Sequence, residues 1–179
     1  MNDLTLGQIC SIYNTDKNCL HCYVDHVYED LFRAIRHTAR KILEIGVEGG
    51  GSLFMWREYF PEATITGVDN KDRPQLKDRD RIEFVFGDAY DYDTLDGLPG
   101  GFDVIIDDGP HTLESMTFFV KEYIHKANER GMLVIEDIQD FNWTNILRRF
   151  VPEGFVVEVC DLRRVRGRYD DILMVIRRG

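Results

Sequence analysis

A chain of 179 residues, 44% of them hydrophobic, is long enough to bury one core and short for two. Its formal charge of -10, from 22 Lys and Arg against 32 Asp and Glu, argues against nucleic acid as the main partner, because phosphate binding draws on clustered basic residues. No basic leader with an apolar run behind it opens the sequence, and no apolar run nears the roughly 20 residues of a membrane span, so a cytoplasmic protein with no membrane partner is expected.

In chain order, the first predicted helix runs from Thr5, a candidate N-cap, to about Tyr13. A second runs from about Val24 to His37, with Val24, Val27, Tyr28, Leu31, Phe32 and Ile35 at helical spacing. Between them lies the polar segment NTDKNCLH. It contains Cys19 and Cys22 at CxxC spacing around His21, but the only other cysteines are Cys10 and Cys160. A structural zinc site needs a second ligand pair, so these read as ordinary thiols.

From Lys41 the pattern alternates between short apolar runs and amphipathic segments. KILEIGV, ATITGVD, RIEFVFGD, FDVIIDDG and GMLVIED are predicted strands. Helices are expected at Ser52 to Tyr59, Tyr92 to Leu95, Leu113 to Lys126 and Phe141 to Phe150. Such alternation is the grammar of a parallel sheet covered on both faces. FVVEVCDL and DILMVIRR then follow with about eight residues between them, too few for a crossover helix, so they are expected to pair as an antiparallel hairpin. The arginines around that hairpin (Arg163, Arg164, Arg166, Arg168, Arg177, Arg178) read as a solvated face. The fold class expected is α/β: a mostly parallel seven-stranded sheet closed by a hairpin, in one domain spanning 1–179. That is the shape of Rossmann-like class I methyltransferases.

Ligands of open α/β sheets bind beyond the carboxyl ends of the strands. The first strand ends in Glu44-Ile45-Gly46-Val47-Glu48-Gly49-Gly50-Gly51-Ser52, where glycines let the backbone turn and approach a ligand, and Ser52 is a candidate cap for the next helix. The loop fails the dinucleotide fingerprint: the second glycine comes three positions after Gly46, and Glu48 would repel a pyrophosphate. Beside the sulfonium and amino groups of S-adenosylmethionine, Glu44 and Glu48 are acceptable. Asp69 closes the second strand, 23 positions after Gly46, where an acid accepts hydrogen bonds from ribose hydroxyls. Asp88 and Ala89, in GDAY after the third strand, are placed near an adenine.

Two further strand ends carry acids. FDVIIDDGPH sets Asp107 and Asp108 where the fourth strand stops, with His111 three residues on, and GMLVIEDIQ sets Glu136 and Asp137 at the end of the fifth. Neighbouring strands lie ~4.8 Å apart, so these carboxylates can converge. Without a cation they would repel, and oxygen-only ligands suit magnesium, calcium or manganese better than zinc. Asp108, Glu136 and Asp137 are therefore the expected ligands, and His111 the candidate general base for an acceptor hydroxyl. The competing readings are an NAD(P)-dependent oxidoreductase and a non-catalytic binding module.

These motifs resemble the metal-dependent sugar O-methyltransferases of macrolide biosynthesis, of the mycinamicin and tylosin type, and relatives labelled cephalosporin hydroxylase. The resemblance spans NTDKNCLHCYVDHVYEDLF, LEIGVEGGGSLFMWREYFPEATITGVD, IIDDGPH and VIEDIQ. It implies S-adenosyl-L-methionine and Mg2+ as cofactors and a hydroxylated small molecule as acceptor. Magnesium would sit on Asp108, Glu136 and Asp137, with His111 as base. Glu44, Gly46, Gly50, Ser52, Asp69, Asp88 and Ala89 would surround the cofactor. Thr15, Asp16, Lys17, His21 and Tyr28 would belong to an N-terminal segment, 1–39, folding over the site, with Lys17, His21 and Tyr28 facing the acceptor. Two departures stand out: the family's DDGSH is DDGPH here, and its GDQS is GDAY. An acceptor site completed by a second copy, as a homo-oligomer, is compatible with so short a chain.

Overall fold

A computed structural model describes residues 4–13 and 15–179. The expectations that touch residues 1–3 and Asn14, the start of the 1–39 segment and of NTDKNCLH, lie outside the described residues.

The seven strands form one sheet: β1 (Lys41–Ile45), β2 (Thr64–Asp69), β3 (Ile82–Phe86), β4 (Phe102–Asp107), β5 (Ala127–Ile135), β6 (Phe155–Asp161) and β7 (Ile172–Arg178). Their order across the sheet is β3-β2-β1-β4-β5-β7-β6. The first five run parallel, and β7 inserts antiparallel between β5 and β6. The predicted hairpin is thus present, its long register running from Phe155↔Arg178 to Asp161↔Ile172. A further helical turn, α8 (Arg163–Arg166), sits in its connection.

Strand alternation sorts the apolar residues onto two faces. Ile42, Val104, Ile106, Val134 and Val175 join one core with Trp56, Phe60 and the N-terminal residues Leu6, Tyr28 and Phe32. Leu43, Ile45, Ile105, Leu133 and Met174 join the other with Leu95, Met116, Phe119 and Leu147. The helices are α1 (Leu6–Cys10), α2 (Asp16–Cys19), α3 (Glu29–Arg33), α4 (Gly51–Tyr59), α5 (Tyr92–Gly97), α6 (Leu113–Phe118) and α7 (Phe141–Arg148). Among the described residues, none is long and apolar enough to cross a membrane.

Three local expectations change. Thr5 does cap α1, reciprocally with Gln8. Ser52, however, lies inside α4, whose N-cap is Gly50 at φ 85°; the left-handed turn admits glycine and leaves the serine two positions too late to cap. The helix expected over Val24–His37 is a π-helical turn, Val24–Tyr28, running into the short α3. The polar segment before it forms α2, capped by Thr15, which no apolar period could have announced.

Candidate cofactor and metal site

A cavity of about 570 Å³ opens beyond the carboxyl ends of β1, β2 and β4. Gly46, at φ 78°, permits its floor: a Cβ there would lie 2.0 Å from the Asp108 carbonyl oxygen, so only glycine lets the loops after β1 and β4 meet. Five described non-glycine residues have positive φ, and three of them, Glu48, His111 and Asp137, line this cavity. Backbone strain of that kind gathers where a side chain must be aimed.

At one end the partners are local. Asp69 accepts from the Lys71 amide at 2.8 Å, the Val47 amide at 3.3 Å and the Arg73 guanidinium at 3.0 Å. Burial works to raise its pKa, but these hydrogen bonds and the arginine hold it below the usual carboxylate range. Asp88 accepts from the Tyr90 amide at 2.9 Å, and Asp88 and Ala89 both line the cavity.

At the other end the acids meet partners from distant parts of the chain. Lys17, 1% exposed, places Nζ 2.7 Å from Asp108 Oδ2, 2.7 Å from Glu136 Oε2 and 3.1 Å from Glu44 Oε1. Burial alone would lower the lysine's pKa; the carboxylates of Asp108, Glu136 and Glu44 reverse that and push it well above normal. Burial raises Glu136 and Glu44 against the opposing pull of Lys17. The Tyr28 hydroxyl donates to Glu136 and the Tyr23 hydroxyl to Asp137. Those tyrosines bracket the π-helical turn, whose extra residue per turn sets both hydroxyls, five positions apart, toward the end of β5. His21 Nδ1 lies 2.7 Å from Asp171 and 3.4 Å from Asp137. Burial raises Asp137 too, opposed by Tyr23 and His21.

Asp108 Oδ1 and Asp137 Oδ2 face the imidazole, 3.8 and 3.6 Å from His111 Nε2. Asp108, His111 and Asp137 offer ligand atoms that all lie within 4.8 Å of one another. Among the described residues theirs is the one histidine, cysteine or acid group that compact; Cys19 and Cys22 take no part in it.

The structure gathers Asp108, Asp137 and His111 at one point, while Glu136, expected as a third ligand, lies outside that group and off the cavity, its two oxygens taken by Lys17 and Tyr28; two further readings change. The cation between Asp108 and Glu136 is the Lys17 ammonium, so convergence of these acids does not by itself demand a metal. Lys17, His21 and Tyr28, expected to face the acceptor, are buried and do not line the cavity, and neither does Glu44, which accepts from Trp56 Nε1 at 3.0 Å. Long, strongly hydrated or aromatic polar side chains look like surface contacts in a sequence, yet here each satisfies a buried carboxylate. Thr15, Asp16 and Cys19 do line the cavity, so α2 forms part of its wall. Arg166 pins that wall by donating to the Asn18 and Cys19 carbonyls at 2.8 Å. Tyr23, Trp56, Arg73 and Asp171 were missed; of these only Arg73, four residues beyond Asp69, left a local signal.

Comparison with known proteins places residues 43–138 in a family described as a methyltransferase domain. A mycinamicin VI 2''-O-methyltransferase of Micromonospora griseorubida is 37% identical over 77% of this chain and 37% of its own. A tetracenomycin-C rhamnosyl 3'-O-methyltransferase of Streptomyces olivaceus is 35% identical over 78% of this chain and 37% of its own. The chain thus spans well under half the length of these curated relatives. The structure of MycE with Mg, SAH and mycinamycin VI superimposes with a TM-score of 0.82 at 26% identity, over 99% of this chain and 55% of that one.

Proposed function

The chain belongs to the methyltransferase-domain family, and on that premise we propose that it transfers a methyl group from S-adenosylmethionine to a hydroxyl of a diol-bearing small molecule, with a sugar as the foremost acceptor class. The observation that carries this reading is a single cavity with Asp69 and Asp88 at one end and Asp108, His111 and Asp137 at the other. The relatives' names support it: both specify O-methyl transfer, and one names a rhamnosyl group. Neither the family match nor the Gly46–Gly51 loop favours a dinucleotide oxidoreductase or a binding module without chemistry.

Asp69 would take the ribose hydroxyls, and Asp88 with Ala89 the adenine edge. Gly46, Gly50 and Ser52 shape the loop beside the methionine part, with the buried Glu44 supporting it from below. A magnesium ion, present in the MycE complex, fits the hard oxygens of Asp108 and Asp137, which face one imidazole from two adjoining strand ends, with the neighbouring Glu136, held by Lys17 and Tyr28, as the third proposed ligand. When bound, such an ion would supply Lewis-acid polarisation of an acceptor oxygen. His111 Nε2 accepts the hydroxyl proton, and the freed oxygen bonds to the methyl carbon as the carbon–sulfur bond breaks, leaving S-adenosylhomocysteine. Asp137, held by Tyr23 and His21, fixes one side of the imidazole's surroundings. On this reading 1–179 works as a single methyltransferase domain, with 1–39 forming a wall of the site.

The test is transfer of labelled methyl to a panel of diol-bearing sugars, glycosides and phenols, with and without chelator. Label should enter an acceptor hydroxyl and fall to background in chelator, returning with added Mg2+. Undiminished transfer in chelator removes the metal from the proposal, and no transfer to any acceptor by a protein that binds the cofactor removes the acceptor class.

A further inference from the structure

Lys17 is an unusual occupant of a catalytic floor. Its ammonium is almost wholly buried and touches three carboxylates, Asp108 and Glu136 at 2.7 Å each and Glu44 at 3.1 Å. Two of those three, Asp108 and Glu136, are proposed metal ligands; Asp108 lines the cavity, whereas Glu136 and Glu44 are buried behind the lysine and do not. The lysine sits on α2, whose Asp16 and Cys19 form cavity wall. One short helix therefore carries both a cation for the acids and a face of the ligand space.

Two cations on the same carboxylate pair repel each other strongly where solvent screens them poorly. From this we propose that Lys17 is a resident stand-in for the metal: it holds Asp108 and Glu136 together before an ion arrives, and the arriving ion competes with it for them. Glu44 gives the displaced ammonium a fallback partner, so the exchange is a local shift rather than an expulsion. As Lys17 loses two of its three partners, its hold on α2 weakens, which links metal entry to the mobility of that wall. Lys17 is here a positioning residue, acting through Asp108 and Glu136. The inference rests on the metal reading above.

The experiment measures Mn2+ binding by calorimetry and by the loss of free-Mn2+ electron resonance, without any turnover, in the wild-type protein and in Lys17→Met, which keeps the length of the side chain and deletes its charge. The variant should bind Mn2+ about tenfold or more tightly than wild type, because a competing positive charge is gone. A merely structural role would leave affinity unchanged or weaken it, and either result overturns the inference while leaving the metal reading intact. No Mn2+ binding by either protein overturns the metal reading and the inference with it. Should Lys17→Met fail to fold, wild-type hydrogen exchange decides: faster exchange of the Asp16–Cys19 amides on adding Mn2+ supports displacement, and unchanged or slower exchange overturns it.

Discussion

The two ends of the cavity are built on opposite plans. At the β1–β3 end, Asp69 finds its partners within four residues or on the adjoining loop: Lys71, Arg73 and Val47. At the β4–β5 end, Asp108, Glu136 and Asp137 find theirs 91 to 119 residues away, on Lys17, Tyr28 and Tyr23. At the first end the carboxylate is satisfied locally, without help from distant parts of the chain. The second end buries carboxylates whose hydrogen-bond donors come from the folded N-terminal segment. A buried carboxylate is costly unless paired and hydrogen-bonded, so chemistry and folding are joined there and separable at the other end.

The sharpest way to break that contrast is to remove one residue from each end. His111→Ala should lower kcat by about 10²–10⁴, the usual contribution of a general base, while cofactor Kd stays within a few-fold. A Kd that rises in parallel with the loss of rate would mean the two ends are not separable.

Next in size is a pH effect with opposite sign at the two ends. Burial, countered by Tyr90 and His111, pushes the Asp107 carboxyl up to about 6. A raised pKa means that the protonated form is favoured in the folded state. The stability it contributes is fully present below pH ~4 and is lost as pH rises through ~6, an amount of about 3 kcal/mol from ~1.36 kcal/mol per unit. In chelator, the wild type minus Asp107→Asn difference in unfolding free energy should fall by that order between pH 4 and 6. Asp69 is held below its ordinary value, so its contribution runs the other way: present at neutral pH and lost as acid protonates it. A flat difference for Asp107→Asn would mean the carboxyl is solvated, against its 3% exposure.

The smallest expected change sharpens the comparison from the cofactor side. Asp69→Asn should weaken cofactor binding by about tenfold, the size of one hydrogen bond to a charged group, with kcat at saturation nearly unchanged. Equilibrium binding of S-adenosylhomocysteine checks it; a variant that also loses kcat would show that the ribose end reaches into the chemistry.

Legibility followed the same divide. The strands, their ends and the Gly46–Gly51 loop could all be read, since alternation, run length and glycine chemistry are local properties of the chain. Asp69, Asp108, His111 and Asp137 were placed at the cavity for the same reason: each closes or follows an apolar run. Ser52 was misread as a cap because the left-handed turn at Gly50 starts α4 earlier than serine chemistry suggests. The π-helical turn went unseen because apolar spacing at 3.6 residues per turn and at a slightly larger number per turn look alike over one or two turns.

The sequence by itself determined an α/β sheet with acids at two adjoining strand ends and a glycine turn beside them, because backbone sterics and hydrophobic periodicity act between near neighbours. Only the tertiary structure decided that the cation meeting those acids is Lys17, and that Tyr23, Tyr28 and His21 are buried against the carboxylates, off the cavity. Which charge neutralises which is a question of distance in space. A buried ion pair between residues 17 and 136 leaves no trace in the spacing of either.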